Sequence, residues 1–267
     1  MAERCDTCWH AVDLHEGERC RWPGCECGHV VQLELQTWAV VPSKRRLRTD
    51  LLALVDSLRD QAHGVVVVDN NDERDGAVDD EIAARGFAGA RLQHIHLPGY
   101  PPNLSRLYNA GVEVVDALMA SLGTERYNVC LLNDDVVVPA GWAVSLEKAL
   151  RGTPAAMAYT DRLGRSVLAL MTAPPPDFSH TATLWACMLR GELKLRYDEQ
   201  FVWWYGDNDI DLRCRLDHGG TIAVPGPMPD HTHPSEETFN DPVLSRIANT
   251  DDAARFNAKW AARMASL

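Results

Sequence analysis

Residues 129–139 read Val-Cys-Leu-Leu-Asn-Asp-Asp-Val-Val-Val-Pro, and no other stretch of this chain constrains its fold so strongly. A continuous apolar run of β-formers, without polar alternation, belongs to a strand covered on both faces, and such strands occur in parallel sheets flanked by helices. Asn133, Asp134 and Asp135 cut the run before it resumes, as in a strand that stops at a polar edge and restarts. Carboxylates placed there reach the crevice beyond the strand ends, where open α/β sheets bind ligands. Adjacent acids repel each other, so a site that keeps both charged offers them a cation or hydrogen-bond donors. Oxygen ligands of this kind suit Mg²⁺ or Mn²⁺ better than zinc. An isolated Asn-Asp-Asp is more often a solvated turn, so the reading depends on the rest of the chain.

That rest supplies a repeating pattern. Residues 37–41 form a short apolar strand ending at Pro42 and Ser43, followed by Leu47, Leu51, Leu54, Val55 and Leu58 at helical spacing. Residues 64–68 are a glycine and four valines ending in Asp69, and residues 92–97 read as a third strand before a proline-rich turn. Asn103 is placed to cap a helix whose apolar stripe is Leu104, Leu107, Tyr108, Gly111, Val115 and Leu118. This βαβαβαβ order predicts an α/β fold: a Rossmann-related, mostly parallel sheet with helices on both faces and functional groups at strand carboxyl ends. Neither Gly-x-Gly-x-x-Gly after the first strand nor a P-loop is present, so nucleotide recognition requires another logic. Asp69 could accept hydrogen bonds from a nucleobase edge or ribose hydroxyls; an Asx turn explains it equally well when it is viewed alone.

With 267 residues, 46% hydrophobic and 24% charged, the chain can bury one substantial core. A net charge of −12 argues against broad phosphate-driven adhesion to nucleic acid, although the basic run 44–48 could bind a phosphate-bearing small molecule. No apolar run approaches the ~20 residues that span a bilayer, and the polar amino terminus is unlike a secretory signal. The chain thus reads as soluble and cytoplasmic.

Five of the eight cysteines, Cys5, Cys8, Cys20, Cys25 and Cys27, fall in the first 29 residues beside His10, His15 and His29. They offer more than enough soft ligands for one tetrahedral Zn²⁺. Cys5 and Cys8 have good ligand spacing. Cys20 with Cys25, or Cys25 with Cys27, would complete a four-sulfur site, and a histidine could replace one sulfur. Disulfides are less expected for an odd cysteine count without an export signal. Residues 1–35 are therefore read as a small zinc module folded mainly by its metal, residues 36–240 as the main domain, and residues 241–267 as a carboxyl-terminal helix packed on the body through Ala253, Phe256, Trp260 and Met264.

The order of motifs resembles the family 2 glycosyltransferases of GT-A fold. The pieces that carry the resemblance are residues 38–43, 65–71, 103–111, 131–136 with 139–142, and 205–215, across roughly residues 36–235. The resemblance implies a nucleotide-diphosphate sugar as donor, with Pro42 and Ser43 bordering the base pocket and Asp69 contacting the nucleoside. Arg106 and Asn109 would approach the donor nucleotide or its diphosphate. Asn133-Asp134-Asp135 resembles the family's Asp-x-Asp metal motif with an amide in place of the first acid, which makes Asp135 the metal ligand and leaves Asp134 for ribose or sugar hydroxyls. The acidic cluster 207–211 resembles the family's Glu-Asp-x-Asp-Leu-x-x-Arg segment. Aligning Asp211, Leu212 and Arg215 with its end makes Asp209 the catalytic base, with Asp207 the alternative. His231 and His233 are two candidates for a histidine that completes the metal site or meets the diphosphate.

The resulting expectation is a hexosyltransferase-like enzyme, inverting and dependent on Mn²⁺ or Mg²⁺, whose acceptor (glycan, protein, lipid or modified nucleobase) the sequence leaves open. Inversion is expected because a base is offered and no covalent nucleophile is apparent. Two alternatives remain: a nucleotidyltransferase, although Lys44-Arg45-Arg46 lacks the usual glycines, and a catalytically inactive sugar- or nucleotide-binding protein with a zinc interaction module, which Asn133 keeps open.

Overall fold

A computed structural model describes residues 35–44, 49–74, 76–175, 185–231 and 236–264. The cysteine-rich segment, with the expected zinc ligands Cys5, Cys8, Cys20, Cys25 and Cys27, lies outside the described residues, as does His233.

The main sheet has eight strands in the order β3-β2-β1-β4-β8-β6-β9-β7. Its members are β1 (Gln36–Ser43), β2 (Gly64–Asp69), β3 (Leu92–His96), β4 (Tyr127–Leu132), β6 (Met157–Thr160), β7 (Ala169–Met171), β8 (Ala186–Arg190) and β9 (Thr221–Val224). β1 runs parallel to β2 and β4, β2 to β3, and β6 to β9, whereas β8 and β7 run the other way. The sheet is thus mostly parallel, as the unalternated apolar runs predict. Every residue of β2 and β4 is buried.

Alternate side chains of these strands feed two cores. Ala39, Val41, Val65, Val67, Cys130 and Leu132 meet helices α1 (Asp50–Leu58), α2 (Gly76–Ala84) and α4 (Trp142–Arg151) on one face. Val40, Val66, Val68, Val129 and Leu131 meet α3 (Leu104–Ser121) and α5 (Gly206–Asp217) on the other. Gly111 lets α3 approach the sheet, since a Cβ there would lie 2.3 Å from Val40 Cγ1. Asn103 caps α3 as expected, its side chain accepting from the Arg106 amide.

The strand interrupted by Asn133–Asp135 does restart, but in a different sheet. β5 (Val136–Val137) leaves the main sheet and pairs antiparallel with β10 (Asp230–His231). At the carboxyl end α6 (Glu236–Asn240) and α7 (Pro242–Arg246) lead through a π-helical stretch, Ile247–Asp252, into α8 (Ala253–Met264). Phe256 and Trp260 of α8 bury themselves against Phe201 and Leu212. Among the described residues no helix is long and apolar enough to cross a membrane.

Candidate active site

Strand order reverses between β1, whose chain proceeds outward to β2, and β4 on its other side, and a crevice opens at such a switch point beyond the carboxyl ends of the strands. Three chain segments deliver polar groups to it. Ser43, the last residue of β1, donates its hydroxyl to Asp134 Oδ2 at 2.6 Å. Asp135 is buried, and its Oδ1 lies 3.2 Å from His231 Nε2. Pairing of β10 with β5 sets that contact, because His231 stands opposite Val136, the next residue after Asp135. Trp185, just before the reversed strand β8, stacks on the His231 ring at 4.7 Å and accepts the Asn133 amide at its carbonyl.

From the opposite side α3 contributes Tyr108, whose hydroxyl donates to Asn133 Oδ1 at 2.9 Å. Tyr108 stacks on Tyr197 at 5.2 Å. Burial, and then the fields of Cys187, Asp134, Asp135 and Asp207, push the Tyr108 hydroxyl well above its ordinary range, so it remains a donor. Asp207 belongs to this group by the same token: its field is felt at both Tyr108 and Tyr197. It stands in the first turn of α5, where a carboxylate suits the helix dipole. Tyr205 takes a left-handed conformation to begin that helix, and Gly206 packs so closely that a Cβ would come 2.7 Å from Ser105 Oγ and 2.9 Å from the Tyr197 ring.

Asp209, expected as the catalytic base, occupies a different environment. Its carboxylate is fully buried; Oδ1 accepts from Trp260 Nε1 at 2.9 Å and Lys259 Nζ at 2.6 Å, and Oδ2 from Arg213 Nε at 2.9 Å. Those partners come from its own helix and from α8, so the acid fastens the carboxyl-terminal helix to the body. Asp211 is likewise buried in a pair with Arg215. Asp252, at the end of the π-helical stretch, accepts from the backbone amides of Val202, Trp203 and Trp204 and so fixes the loop that enters α5.

The remaining predicted residues divide in the same way. Pro42 is buried in β1 opposite Val68. Asp69, at the end of β2, is fully buried, with Oδ1 accepting from the backbone and side-chain amides of Asn71 at 2.8 Å each. Asn109 holds the segment before α5: its amide donates to Tyr197 O and Glu199 Oε1 and its oxygen accepts from the Tyr197 amide. Arg106 is exposed on the first turn of α3. Tyr108, Trp185 and Tyr197 were not anticipated. Tyr108 was legible only as one more apolar position of the α3 stripe, and nothing local distinguishes Trp185.

No protein-family profile matches this chain, and no curated protein does. Among solved structures, residues 1–349 of S. aureus TarS align with a TM-score of 0.55 at 12% identity, covering 82% of this chain and 68% of that one. A longer TarS structure aligns at 0.52 and 13% identity, and there the match covers 82% of this chain but 41% of TarS. The two proteins share a fold. A mannosyltransferase, PcManGT from Pyrobaculum calidifontis, in complex with GDP-Man and Mn²⁺, aligns at 0.49 and 12% identity, covering 86% of this chain and 76% of that one.

The pair Asp135–His231 fits a divalent cation. Two adjacent ligands of an octahedral ion bound at about 2.1 Å stand about 3 Å apart, close to the 3.2 Å between these two atoms. Carboxylate oxygen with imidazole nitrogen suits Mn²⁺, which takes a nitrogen ligand more readily than Mg²⁺ does, and Asp134 stands next in the chain. Among the described residues no third histidine, cysteine or acid joins them in a ligand cluster, so the remaining ligands would come from substrate and water, as Mg²⁺ sites commonly arrange.

Proposed function

We propose that this chain is a glycosyltransferase that uses a nucleotide-diphosphate sugar with Mn²⁺ or Mg²⁺ and transfers the sugar with inversion. The observation that carries the reading is that the fields of Asp134, Asp135 and Asp207 meet at Tyr108, with His231 against Asp135, at the switch point of the sheet. The fold shared with TarS, a glycosyltransferase, supports it.

Asp135 and His231 would hold the cation, whose chemistry is to neutralise charge on the departing diphosphate. Asp134, oriented by Ser43, would take ribose or sugar hydroxyls. Pro42 and the turn after Asp69 would border the base, with Arg106 at the mouth of the nucleotide site. Asp207 is the better base. Its half-exposed carboxylate can take the proton from an acceptor hydroxyl or amine as that atom attacks the anomeric carbon, while the bond from that carbon to the diphosphate oxygen breaks and the nucleoside diphosphate departs with the electron pair. Asp209 instead serves the fold, because both its oxygens are engaged by Arg213, Lys259 and Trp260. The sequence expectation for the base therefore moves by two residues in this proposal. Residues 1–35 are proposed as a structural zinc module, which metal analysis of the purified chain would check as one zinc per chain.

The test is release of nucleoside diphosphate from a panel of nucleotide-sugars with Mn²⁺, with Mg²⁺ and with chelator. Metal-dependent hydrolysis of one donor, lost in Asp135→Ala, is the expected result. Binding of a donor without turnover under any acceptor mixture would favour the inactive binding-protein reading. No binding across a broad panel by folded protein would overturn the proposal.

A further inference from the structure

Behind the turn at residues 69–72 lies a charge cluster, buried at Asp69 and His94 and open to solvent at Asp79 and Arg74, that is unrelated to the metal pair. His94 of β3 has a side chain only 3% exposed. Its Nδ1 hydrogen-bonds Asp79 Oδ1 on α2 at 2.5 Å, and its Nε2 lies 3.4 Å from Asp69 Oδ2, an ion-pair contact in which neither atom has a hydrogen-bond partner among the described residues. Ionised carboxylates only accept hydrogen bonds, and a neutral imidazole has one N–H and one lone pair. A ring between two carboxylates is matched to both only when both nitrogens carry protons. The charged groups facing it are these two acids and Arg74, which pairs with Asp79 at 2.7 Å. With His94 protonated the four charges cancel; without that proton a net negative charge is left, with Asp69 buried and Asp79 and Arg74 reaching solvent.

The cluster reaches the candidate nucleotide site through short bonds. Asp69 Oδ1 fixes the turn by accepting twice from Asn71. His96, one pleat along β3, donates to the Asn71 carbonyl at 2.8 Å. The Asn70 amide donates to the Ser43 carbonyl at 2.9 Å, and Ser43 orients Asp134. We propose that His94 is a positioning residue for nucleotide binding: as an imidazolium clamped between Asp79 and Asp69 it holds the turn that borders the donor pocket, and losing its proton weakens that binding. The inference rests on the nucleotide-sugar reading of the site.

The directions of titration agree. Asp69 beside it raises the His94 value against the opposing effect of burial, with Asp79 adding to the rise. For Asp69, burial alone would raise the value, but His94 and Asn71 outweigh it and the value falls. A raised histidine contributes stability that is fully present below its ordinary value of 6.5 and is lost as pH rises through its raised folded value. Asp69 sets the acid limit: its contribution is present above its ordinary value of 3.8 and is lost as pH falls through its lowered folded value.

Calorimetric titration with UDP and with GDP, each with Mn²⁺, across pH 5.5–9 tests the proposal on the full chain and on His94→Gln. Wild-type affinity should fall about tenfold across the upper part of this range, the change that one unit of coupled titration produces. His94→Gln should bind at the lower affinity with that fall removed. Equal pH dependence in both proteins would overturn the role of His94 while leaving the reading of the site intact. Absence of binding by the wild type to either nucleotide at any pH would overturn both. Should His94→Gln not fold, NMR titration of the His94 ring in the wild type decides: a midpoint above 6.5 is expected, and a midpoint at or below it overturns the proposal.

Discussion

Asp207 and Asp209 are two residues apart on the first turn of α5 and live in different chemistries. Asp209 faces α8, is closed off from solvent, and is held by an arginine, a lysine and an indole N–H. Asp207 is half-exposed, and its field is felt at Tyr108, together with those of Asp134 and Asp135, and at Tyr197. Helix geometry makes the separation unavoidable, because positions i and i+2 point to nearly opposite sides. The contrast extends to the partners of each region. At the α5–α8 junction, cations of the chain itself neutralise the acids. In the crevice, Ser43 meets Asp134 and His231 meets Asp135, groups that a bound cation or hydroxyl can replace or share.

The strongest way to break this division is Asp209→Ala. It would leave Trp260 Nε1 without its acceptor and strip Arg213 and Lys259 of their buried counter-charge, leaving them Arg196 O and Asp198, and removing one member of a buried ion pair costs about 3–5 kcal/mol. Urea unfolding should register a loss of that size, and α8 should become the first segment to exchange its amides. If stability were unchanged while turnover vanished, Asp209 would be the base after all. Asp207→Asn is the converse. It should lower turnover roughly 10³-fold, within the range that a positioned base contributes, with the unfolding midpoint nearly unchanged. Steady-state kinetics on whichever donor is hydrolysed reads the first effect, and the same urea titration reads the second.

These two variants also mark how far the sequence could be read. The sheet was legible because β1, β2 and β4 carry apolar runs that suit burial on both faces, and each ends at polar residues. The cap at Asn103 was equally local. Strands β6, β7 and β8 carry weaker signals, and the reversal of β8, which brings Trp185 against His231, depends on pairings with β4 and β6 that no local pattern encodes. The difference in environment between Asp207 and Asp209 is non-local for the same reason. It turns on Lys259 and Trp260, fifty residues away in sequence, reaching one side of α5 only when α8 docks. The resemblance made Asn109 a donor contact, and its pairing with the backbone at Tyr197, 88 residues on, is one that no local pattern encodes.

Gly111→Ala probes the apolar side of the comparison, where no charge is involved. A methyl group would come within 2.3 Å of Val40 Cγ1 and 3.1 Å of Val68 Cγ2, so α3 must lift from β1 and β2. Overpacking of this kind costs about 1–3 kcal/mol. Because α3 carries Tyr108, the lift should also loosen the crevice, and nucleotide affinity should fall together with the unfolding midpoint. A stability loss without any change in affinity would mean that Tyr108 does not set the geometry of Asn133 and its neighbouring acids.

Ser43→Ala should have the smallest effect and sharpens the contrast most finely. Its hydroxyl bonds Asp134 Oδ2 at 2.6 Å, a charge-assisted contact at the end of β1. Asp134 stands in the half-buried turn after β4, so water can replace the lost donor and the cost to stability should stay near 1 kcal/mol or below. Ligand binding should be more sensitive, because the Asp134 carboxylate loses one of the bonds that orient it toward a sugar or ribose. A several-fold rise in the KM for donor with kcat little changed is the expected pattern, since the contact orients a binding group and not the base. A fall in kcat with KM unchanged would instead place Asp134 among the groups that act on the transition state, and the division between Asp134 and Asp135 would have to be redrawn.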